Sequence, residues 1–378
     1  MRFLVRTLST FLLLAGVLRG DALVPAWPAS AGEPSPAATA PDQWKAWVAG
    51  RPAEILDVRQ PGDPLILLLV MDTVGDLNRV EAARRSLRET LGSMPPEWRV
   101  ALLRAMDGPA VIVEPTGDGE TLMEEIHGLA ISGFPGLLDA VGPVAGIADS
   151  IMAGSCVRVA ALFITDGAIE SYRGDFTSTV VNQSDNRDLS RRFNDQIIQE
   201  RINSLAGSLQ NYAAPLFFVH LQERTAPEER AYQNGIQEFA RVSGGQAYFA
   251  RNLADVQTVI GRALDRIAGQ YVVRVATPAE SASPVNVRLE PRVGQPSLTY
   301  RQSASVSAQG PCLAASQLHE TVPSAALRLE KHPAVVWNSA PHNGKGAYNS
   351  TDEGSSPLEE LHAVDSLARP ENARDIGF

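Results

Sequence analysis

The chain has 378 residues, a net charge of −10 at neutral pH and a sequence pI near 5.2. Hydrophobic residues make up 44% of it and charged residues 20%, a balance that suits a globular protein with a buried core. A nucleic-acid-binding surface needs clustered Lys and Arg against the phosphates, and the sequence has no basic stripe with interleaved aromatic residues. The composition therefore argues against a nucleic-acid partner.

The first 31 residues have the pattern of a secretory signal peptide. Arg2 and Arg6 precede the short apolar run LLLAGVL at 12–18, and small residues offer cleavage after Ala22 or after Ala31. The run is shorter than the ~20 apolar residues that a membrane-spanning helix needs, and no later stretch reaches that length. We therefore expect a signal peptide at 1–31 and a secreted or periplasmic protein without a membrane span.

A Pro/Ala-rich linker is expected at 32–43, and the pattern of 44–64 predicts a small lead-in β hairpin. The run LILLLVM at 65–71 is apolar at every position, as a strand buried on both faces requires, and it ends at Asp72. Apolar residues at helical spacing predict a helix over 76–91. The rest of the chain is organised around this strand and its acidic end.

Strands and helices alternate from 65 to 269. Further strands are predicted at 98–106, 110–113, 157–165, 214–221 and 246–249, and further helices at 119–130, 137–152, 190–211, 228–243 and 253–269. Asp107-Gly108 is a hairpin signal, so one strand should be antiparallel. The pattern predicts an α/β domain with a doubly wound, mostly parallel central sheet and one antiparallel edge strand. A short β extension at 270–302 and a low-complexity, disordered tail at 303–378 follow.

Three stretches resemble the von Willebrand factor type A (vWA) family. LLLVMDTVGDL at 67–77 is similar to the family's first strand and its Asp-x-Ser-x-Ser loop, and ALFITDG at 161–167 is similar to a later strand with its Asp-Gly ending. The stretch SGGQAYFARNLADVQTVIGRALDRIAGQYVVRV at 243–275 looks specifically like exported "VWFA-related" domain proteins, known chiefly from acidobacteria. The resemblance covers 44–302 and implies the Rossmann-like vWA fold.

The family's metal-ion-dependent adhesion site holds Mg²⁺ through two Asp, two Ser and one Thr, and a partner's carboxylate completes the shell. By the resemblance, Asp72 and Asp166 match the first and last ligands, whereas Val74 and Asp76 stand at the serine positions and Pro135 at the threonine position. The resemblance therefore implies a degenerate site whose candidate ligands are Asp72, Asp76 and Asp166. It could hold Mg²⁺, or the less demanding Ca²⁺.

The alternative is a scaffold that has lost its metal, with Asp72 acting as a helix N-cap. Ser132 could replace the missing threonine only if its loop shifts. By strand alternation, Thr73 should point away from the site.

The remaining candidate residues do not indicate a catalytic, cofactor-binding or zinc site. No nucleophile elbow or phosphate-binding loop is present, and the histidines lack zinc spacing, so no catalytic or cofactor-binding residue is predicted. His220 should be a hydrogen-bonded strand-edge residue. Cys156 and Cys312 are expected to be independent thiols, and the alternative that they pair in an exported protein stays open. The RGD tripeptide at 173–175 is expected to be a chance occurrence.

The sequence therefore predicts an exported, non-enzymatic protein-binding module. It would recognise an unknown protein partner with the loops at the C-terminal end of the sheet, at 72–78, 132–137 and 166–188. Two alternatives stay open: a metal-dependent hydrolase that uses Asp72, Asp76 and Asp166, and an envelope structural or assembly factor.

Overall fold

The computed structural model describes residues 20–29, 44–131, 133–155, 157–168, 186–224, 227–278, 281, 283–291 and 297–307. All of them lie in the first of the two units, 1–335 and 336–378, into which the chain divides. The described strands are β1 (Asp21–Pro28), β2 (Trp44–Val48), β3 (Arg51–Ala53), β4 (Ile55–Arg59), β5 (Leu65–Asp72), β6 (Trp98–Arg104), β7 (Ala110–Thr116), β8 (Arg158–Thr165), β9 (Leu216–His220), β10 (Ala247–Phe249), β11 (Tyr271–Ala276), β12 (Val285–Pro291), β13 (Leu298–Tyr300), β14 (Ser303–Ala304) and β15 (Val306–Ser307). The described helices are α1 (Leu77–Leu91), α2 (Gly119–Gly128), α3 (Leu137–Gly154), α4 (Asn186–Leu209), α5 (Pro227–Ser243) and α6 (Asp255–Ala268).

A six-stranded sheet in the order β10-β9-β8-β5-β6-β7 forms the centre of the fold. Its strands are parallel except β7, which runs antiparallel to β6 at the edge. Every residue of β5 and β8 is buried, because helices cover both faces of the middle strands. The predicted mostly parallel sheet with one antiparallel edge strand is confirmed.

The antiparallel edge begins at the predicted hairpin signal. Asp107 and Gly108 have φ angles of 56° and 95°, and two successive residues with positive φ are what a tight hairpin turn requires. The turn therefore reverses the chain directly after β6.

Helices cover the central sheet on both faces. Apolar side chains of α3, α4 and α5 form the core on one face, and those of α1, α2 and α6 form the core on the other. Among the described helices, α3 is long and apolar enough to cross a membrane by length and composition. However, 56% of it is buried and it packs against β5 and β8, as a core helix does.

The remaining strands form a second β unit beside the central sheet. One of its sheets has the order β13-β1-β11-β4, with β15 also paired to β1, and the other has the order β14-β12-β2-β3. Small and β-branched residues from both sheets, among them Val24, Val48, Val273 and Val287, share one core. The predicted lead-in hairpin and β extension are therefore parts of one unit.

The structure describes strands inside two of the regions predicted to lie outside the fold. Residues 1–31 were expected to be a signal peptide, yet Asp21–Pro28 is β1, a buried strand paired with β11, β13 and β15. The disordered tail was expected from 303, yet β14 and β15 pair with β12 and β1. The predicted linker at 32–43 and the tail from 308 onward lie outside the described residues.

Candidate functional site

The parallel strands β5, β8 and β9 end side by side at one edge of the central sheet. The register places Asp72 beside Thr165, and Thr165 beside His220. All three side chains are fully buried, and Asp166, only 4% exposed, follows directly after β8. Open α/β sheets hold their ligand sites at the carboxyl ends of strands, which is where both predicted acidic residues lie.

The carboxylate of Asp72 joins β5 to β8 and to the start of α3. Its Oδ1 accepts a hydrogen bond from the backbone N–H of Gly136 at 2.8 Å, and its Oδ2 accepts one from the hydroxyl of Thr165 at 2.9 Å. Gly136 is the N-cap of α3 and brings no side chain to that role. Asp72 therefore supplies an acceptor at this helix start from a distant part of the sequence, as a capping side chain would.

Gly136 cannot be replaced by a residue with a side chain without a shift of the backbone. A Cβ atom built at this position would lie 1.9 Å from the carbonyl oxygen of Ala105. Gly136 therefore lies close to Ala105, directly after β6, and this position brings the Gly136 N–H within reach of Asp72.

The carboxylate of Asp166 holds the loop that follows β5. Its Oδ1 accepts from the N–H of Val74 at 2.8 Å, and its Oδ2 accepts from Gly75 and Asp76, both at 2.9 Å. Three successive N–H groups that converge on one anion form a concave anion-binding nest. The protein's own carboxylate therefore fills this nest.

Asp76 has a different role from the other two acidic residues. It is the N-cap of α1, and its Oδ1 accepts from the N–H groups of Asn78 and Arg79. Its Oδ2 pairs with the guanidinium of Arg79 at 3.2 Å. The helix that follows β5 is thus capped by Asp76 and not by Asp72.

We call Asp72, Thr165, Asp166 and the N–H groups that they hold the carboxylate clasp. It joins three segments that are far apart in sequence: the loop after β5, the start of α3 and the end of β8. Hydrogen bonds to charged acceptors are roughly twice as strong as neutral ones. Those of Asp72 are buried, and those of Asp166 are partly buried. The clasp therefore fixes the loops at this edge in one arrangement.

The clasp does not provide the donor set of the family's metal site. Every oxygen of Asp72 and Asp166 already accepts at least one hydrogen bond from the protein, and Asp76 is turned towards α1. Within the described ranges, no three His, Cys, Asp or Glu side chains are grouped so that they could hold an ion. Mg²⁺ needs about six oxygens in near-octahedral geometry, which this arrangement does not offer.

Apolar groups stand where the family has hydroxyl ligands. Val74 contributes only its backbone N–H to the site. Pro135 is buried at the site: an ideal Cβ on Gly167 would lie 3.6 Å from the Pro135 Cβ and 3.5 Å from Asp72 Oδ2. The hydroxyl of Thr73 is buried without a hydrogen-bond partner among the described residues. The hydroxyl oxygens that would hold Mg²⁺ are therefore missing at these positions.

His220 ties the end of β9 to the loop after β8. Its Nε2–H donates to the carbonyl of Gly167 at 2.8 Å, and its Nδ1 accepts from the N–H of Gln222 at 3.2 Å. These partners select one neutral tautomer. The expectation of a hydrogen-bonded structural histidine is confirmed, although β9 is an inner strand and not an edge strand.

Two buried groups of this edge should give opposite pH dependences of stability. Burial raises the pKa of Asp72 to about 6 and lowers the pKa of His220 to about 4. The folded state therefore binds an extra proton at Asp72 between pH 4 and 6, so this group's contribution to stability falls as pH rises through that window. His220 is protonated earlier in the unfolded chain, so its contribution is lost as pH falls from about 6.5 to 4.

We expect Asp72→Asn to lose stability more steeply than the wild type on acidification from pH 6 to 4.5, and His220→Gln to lose it less steeply. A shift of about two pKa units corresponds to roughly 3 kcal/mol, which sets the upper limit of each effect. Urea unfolding at several pH values measures both. If the free energy of unfolding changed with pH equally in the wild type and the two variants, the assigned pKa shifts of Asp72 and His220 would be wrong, since other groups titrate alike in all three proteins.

Sequence reasoning located part of this site. It placed Asp72 and Asp166 at neighbouring strand ends, and it missed Thr165 and Gly136, whose hydrogen bonds complete the clasp. The sequence Thr165-Asp166-Gly167 at the end of β8 was a signal for Thr165. The residue directly before Asp166 is the one that lies in register with Asp72. Ser132, Cys156, Cys312, the RGD tripeptide and most of the predicted 166–188 loop lie outside the described residues.

Comparisons with known proteins found partial matches among solved structures. No protein-family model matches the chain, and no curated protein matches it. Among solved structures, an aerotolerance-related membrane protein from Bacteroides fragilis is 14% identical, with a TM-score of 0.33 over 53% of this chain and 98% of that one. The vWF domain of the type V pili tip protein Mfa5 from Porphyromonas gingivalis is also 14% identical, with a TM-score of 0.34 over 55% of this chain and 94% of that one.

A third solved structure extends over more of the chain. The von Willebrand factor type A structure from Catenulispora acidiphila is 10% identical, with a TM-score of 0.38 over 76% of this chain and 71% of that one. The sheet order and the paired strand-end carboxylates agree with the resemblance found in the sequence, which implies a vWA-type fold for the central domain.

Proposed function

We propose that this chain is a non-enzymatic protein-interaction module of the cell envelope or the cell exterior. Its recognition surface is the strand-end surface, which we define as residues 73–78, 133–137, 166–168 and 250–254. The observation that carries the proposal is the distribution of exposed apolar side chains. Four large hydrophobic residues are exposed in the described part of the chain, and three of them lie on this surface: Leu77, Phe134 and Leu253.

These three side chains come from three different loops at the same edge of the sheet. Leu77 begins α1 after the loop that follows β5, and Phe134 precedes α3. Leu253 follows β10, close to Ala250, whose N–H donates a hydrogen bond to the carbonyl of His220. Single exposed apolar residues are common on protein surfaces, but their concentration on one edge is a mark of an interaction site. Because the clasp fixes two of the loops in advance, little ordering entropy would oppose binding.

We infer that the partner presents apolar side chains and binds without a divalent cation. In the family's metal-dependent mode a partner carboxylate completes the metal shell. Here that carboxylate would approach the carboxylates of Asp72 and Asp166, and the family's three hydroxyl positions hold Val74, Asp76 and Pro135. Like charges brought together in a water-poor site repel. The arrangement therefore favours an apolar contact over an acidic one.

The hydrolase alternative has no support from the geometry. A hydrolytic metal would have to gather Asp72, Asp76 and Asp166 around one activated water. Asp72 and Asp166 are instead committed to the clasp, and Asp76 to capping α1. An envelope structural or assembly factor differs from an interaction module only in its partner, and the experiment below separates the two.

The test is partner capture by the exported protein from an envelope extract of its own cells, with and without EDTA. The variants are Leu77→Asp with Phe134→Asp, and the matched control is Leu56→Asp, which alters the fourth exposed apolar residue, 41% exposed on β4. We expect the wild type and the control to recover the same partner, equally with EDTA. The double variant should recover at least tenfold less while its thermal unfolding stays unchanged.

Equal recovery by the double variant would place recognition elsewhere and contradict the proposal. Recovery that disappears with EDTA and returns with Mg²⁺ would contradict the metal-free mode. If only components of a stable envelope assembly are recovered and the loop variants do not matter, the chain is a structural factor.

A further inference from the structure

The strand β1 has a central position in the β unit. Along one side it pairs with β11 through six residues, Asp21 to Ala26, and along the other side with β13 and β15. A strand with partners on both sides cannot be removed without leaving two rows of backbone hydrogen-bonding groups unpaired. Such groups are costly when buried.

The side chains of β1 enter all three hydrophobic cores. Leu23 packs with one face of the central sheet and Trp27 with the other, while Ala22 and Val24 belong to the core of the β unit. Seven of its eight residues are buried. The strand therefore holds the β unit against the central domain.

Polar contacts fix the beginning of this segment. The carboxylate of Asp21 pairs with the guanidinium of Arg274 at 2.5 Å, and both side chains are mostly buried. The carbonyl of Gly20 accepts a hydrogen bond from the N–H of Thr277 at 3.0 Å. The folded protein thus begins no later than Asp21.

We propose that the leader of the exported chain ends at or before the Gly20–Asp21 bond, so that Asp21–Pro28 remains in the mature protein. The proposal rests on the export assumed in the proposed function. Processing after Ala22 would leave Arg274 buried without its carboxylate, and processing after Ala31 would remove the whole strand. Both sites predicted from the sequence are therefore incompatible with this fold.

Gly20 supplies a small residue directly before the Gly20–Asp21 bond, whereas Leu18 stands two residues earlier, where an A-x-A-like site has a second small residue. Hydrolysis of this amide consumes one water, leaves the new carboxylate on Gly20 of the leader and frees an amine on Asp21. The released chain would keep every residue of β1.

The test is the intact mass and N-terminal peptide of the full chain after expression in a secreting bacterium. We expect an N-terminus at Asp21 or earlier, and Gly20→Leu should block any cleavage after residue 20. Ala31→Leu, the matched control, should change nothing. A mature form that starts at Leu23 or Gly32 and unfolds cooperatively at the midpoint of the full chain would overturn the proposal.

A second measurement is independent of export. Purified chains starting at Asp21 and at Gly32 are compared by thermal unfolding. The first loses only the Gly20 carbonyl that Thr277 binds, so it should unfold within about 5 °C of the full chain. The second should show no cooperative transition or one lower by at least about 10 °C, as loss of several kcal/mol implies. Equal midpoints would overturn the proposal. An intact chain found only in the cytoplasm would instead contradict export, and with it the proposed function.

Discussion

Replacing Trp27 with alanine should lower the free energy of unfolding by about 3–5 kcal/mol, the range measured for large-to-small changes at buried aromatic positions. Trp27 is 2% exposed and lies edge-on to Phe217, with ring centroids 5.9 Å apart. Its indole N–H donates to the carbonyl of Arg266 at 2.8 Å, and the guanidinium of the same residue lies 5.0 Å above the ring. Alanine would leave both a cavity and an unpaired carbonyl where β1 packs against the central domain.

The control for this change is Trp47→Ala. Trp47 is only half-buried, on β2, and its ring is covered by the guanidinium of Arg288 at 4.3 Å. Trp47→Ala should lower the free energy of unfolding by only about 1 kcal/mol, clearly less than Trp27→Ala. Urea unfolding of both variants measures the difference, and Trp27→Phe should fall between them because it keeps a ring but loses the donor. If Trp27→Ala lowered the free energy of unfolding no more than Trp47→Ala, β1 would not be the strand that holds the β unit against the central domain.

The central sheet could be predicted from the sequence, whereas β1 could not. Residues 65–71 of β5 and 159–164 of β8 are apolar in unbroken runs, a pattern that a buried parallel strand produces and few other structures do. The segment DALVPAWP contains Pro25 and Pro28, which usually argue against an inner strand, and it directly follows an apolar run typical of a leader. Its partners β11, β13 and β15 lie about 250 residues or more away in sequence, and long-range pairing leaves no local signal.

The candidate site could be predicted in its positions but not in its bonds. Asp72 and Asp166 each follow an apolar strand, so their convergence follows from the parallel sheet alone. The donors that they bind are mostly backbone N–H groups, those of Val74, Gly75 and Gly136 among them. Every residue except proline carries such a group, so the sequence cannot distinguish a loop that offers it to a carboxylate from one that does not. Whether the loop's N–H groups point to the carboxylates decides between a hydrogen-bonded clasp and a metal site.

Replacing Asp166 with alanine should destabilise the protein by about 3 kcal/mol, because three N–H groups lose a charged acceptor at once. Water can reach part of the loop, since Gly75 and Asp76 are exposed, and this keeps the cost below the sum of three fully buried bonds. The matched control is Asp76→Ala, which removes an exposed helix cap and should cost about 1 kcal/mol. Urea unfolding measures both, and amide hydrogen exchange should become faster at residues 74–76 in the first variant.

The dependence of this effect on Mg²⁺ distinguishes the clasp from a metal site. If Asp166 acts through hydrogen bonds, the loss of stability is the same in EDTA and in millimolar Mg²⁺, because the acceptor it removes serves backbone N–H groups and no ion. If it acted as a ligand, the wild type would gain stability with Mg²⁺ by mass action and Asp166→Ala would not. If the difference in free energy of unfolding between the wild type and Asp166→Ala grows with Mg²⁺, the strand-end carboxylates bind metal. If the difference is the same in EDTA as in Mg²⁺, these carboxylates hold the loops that carry Leu77 and Phe134.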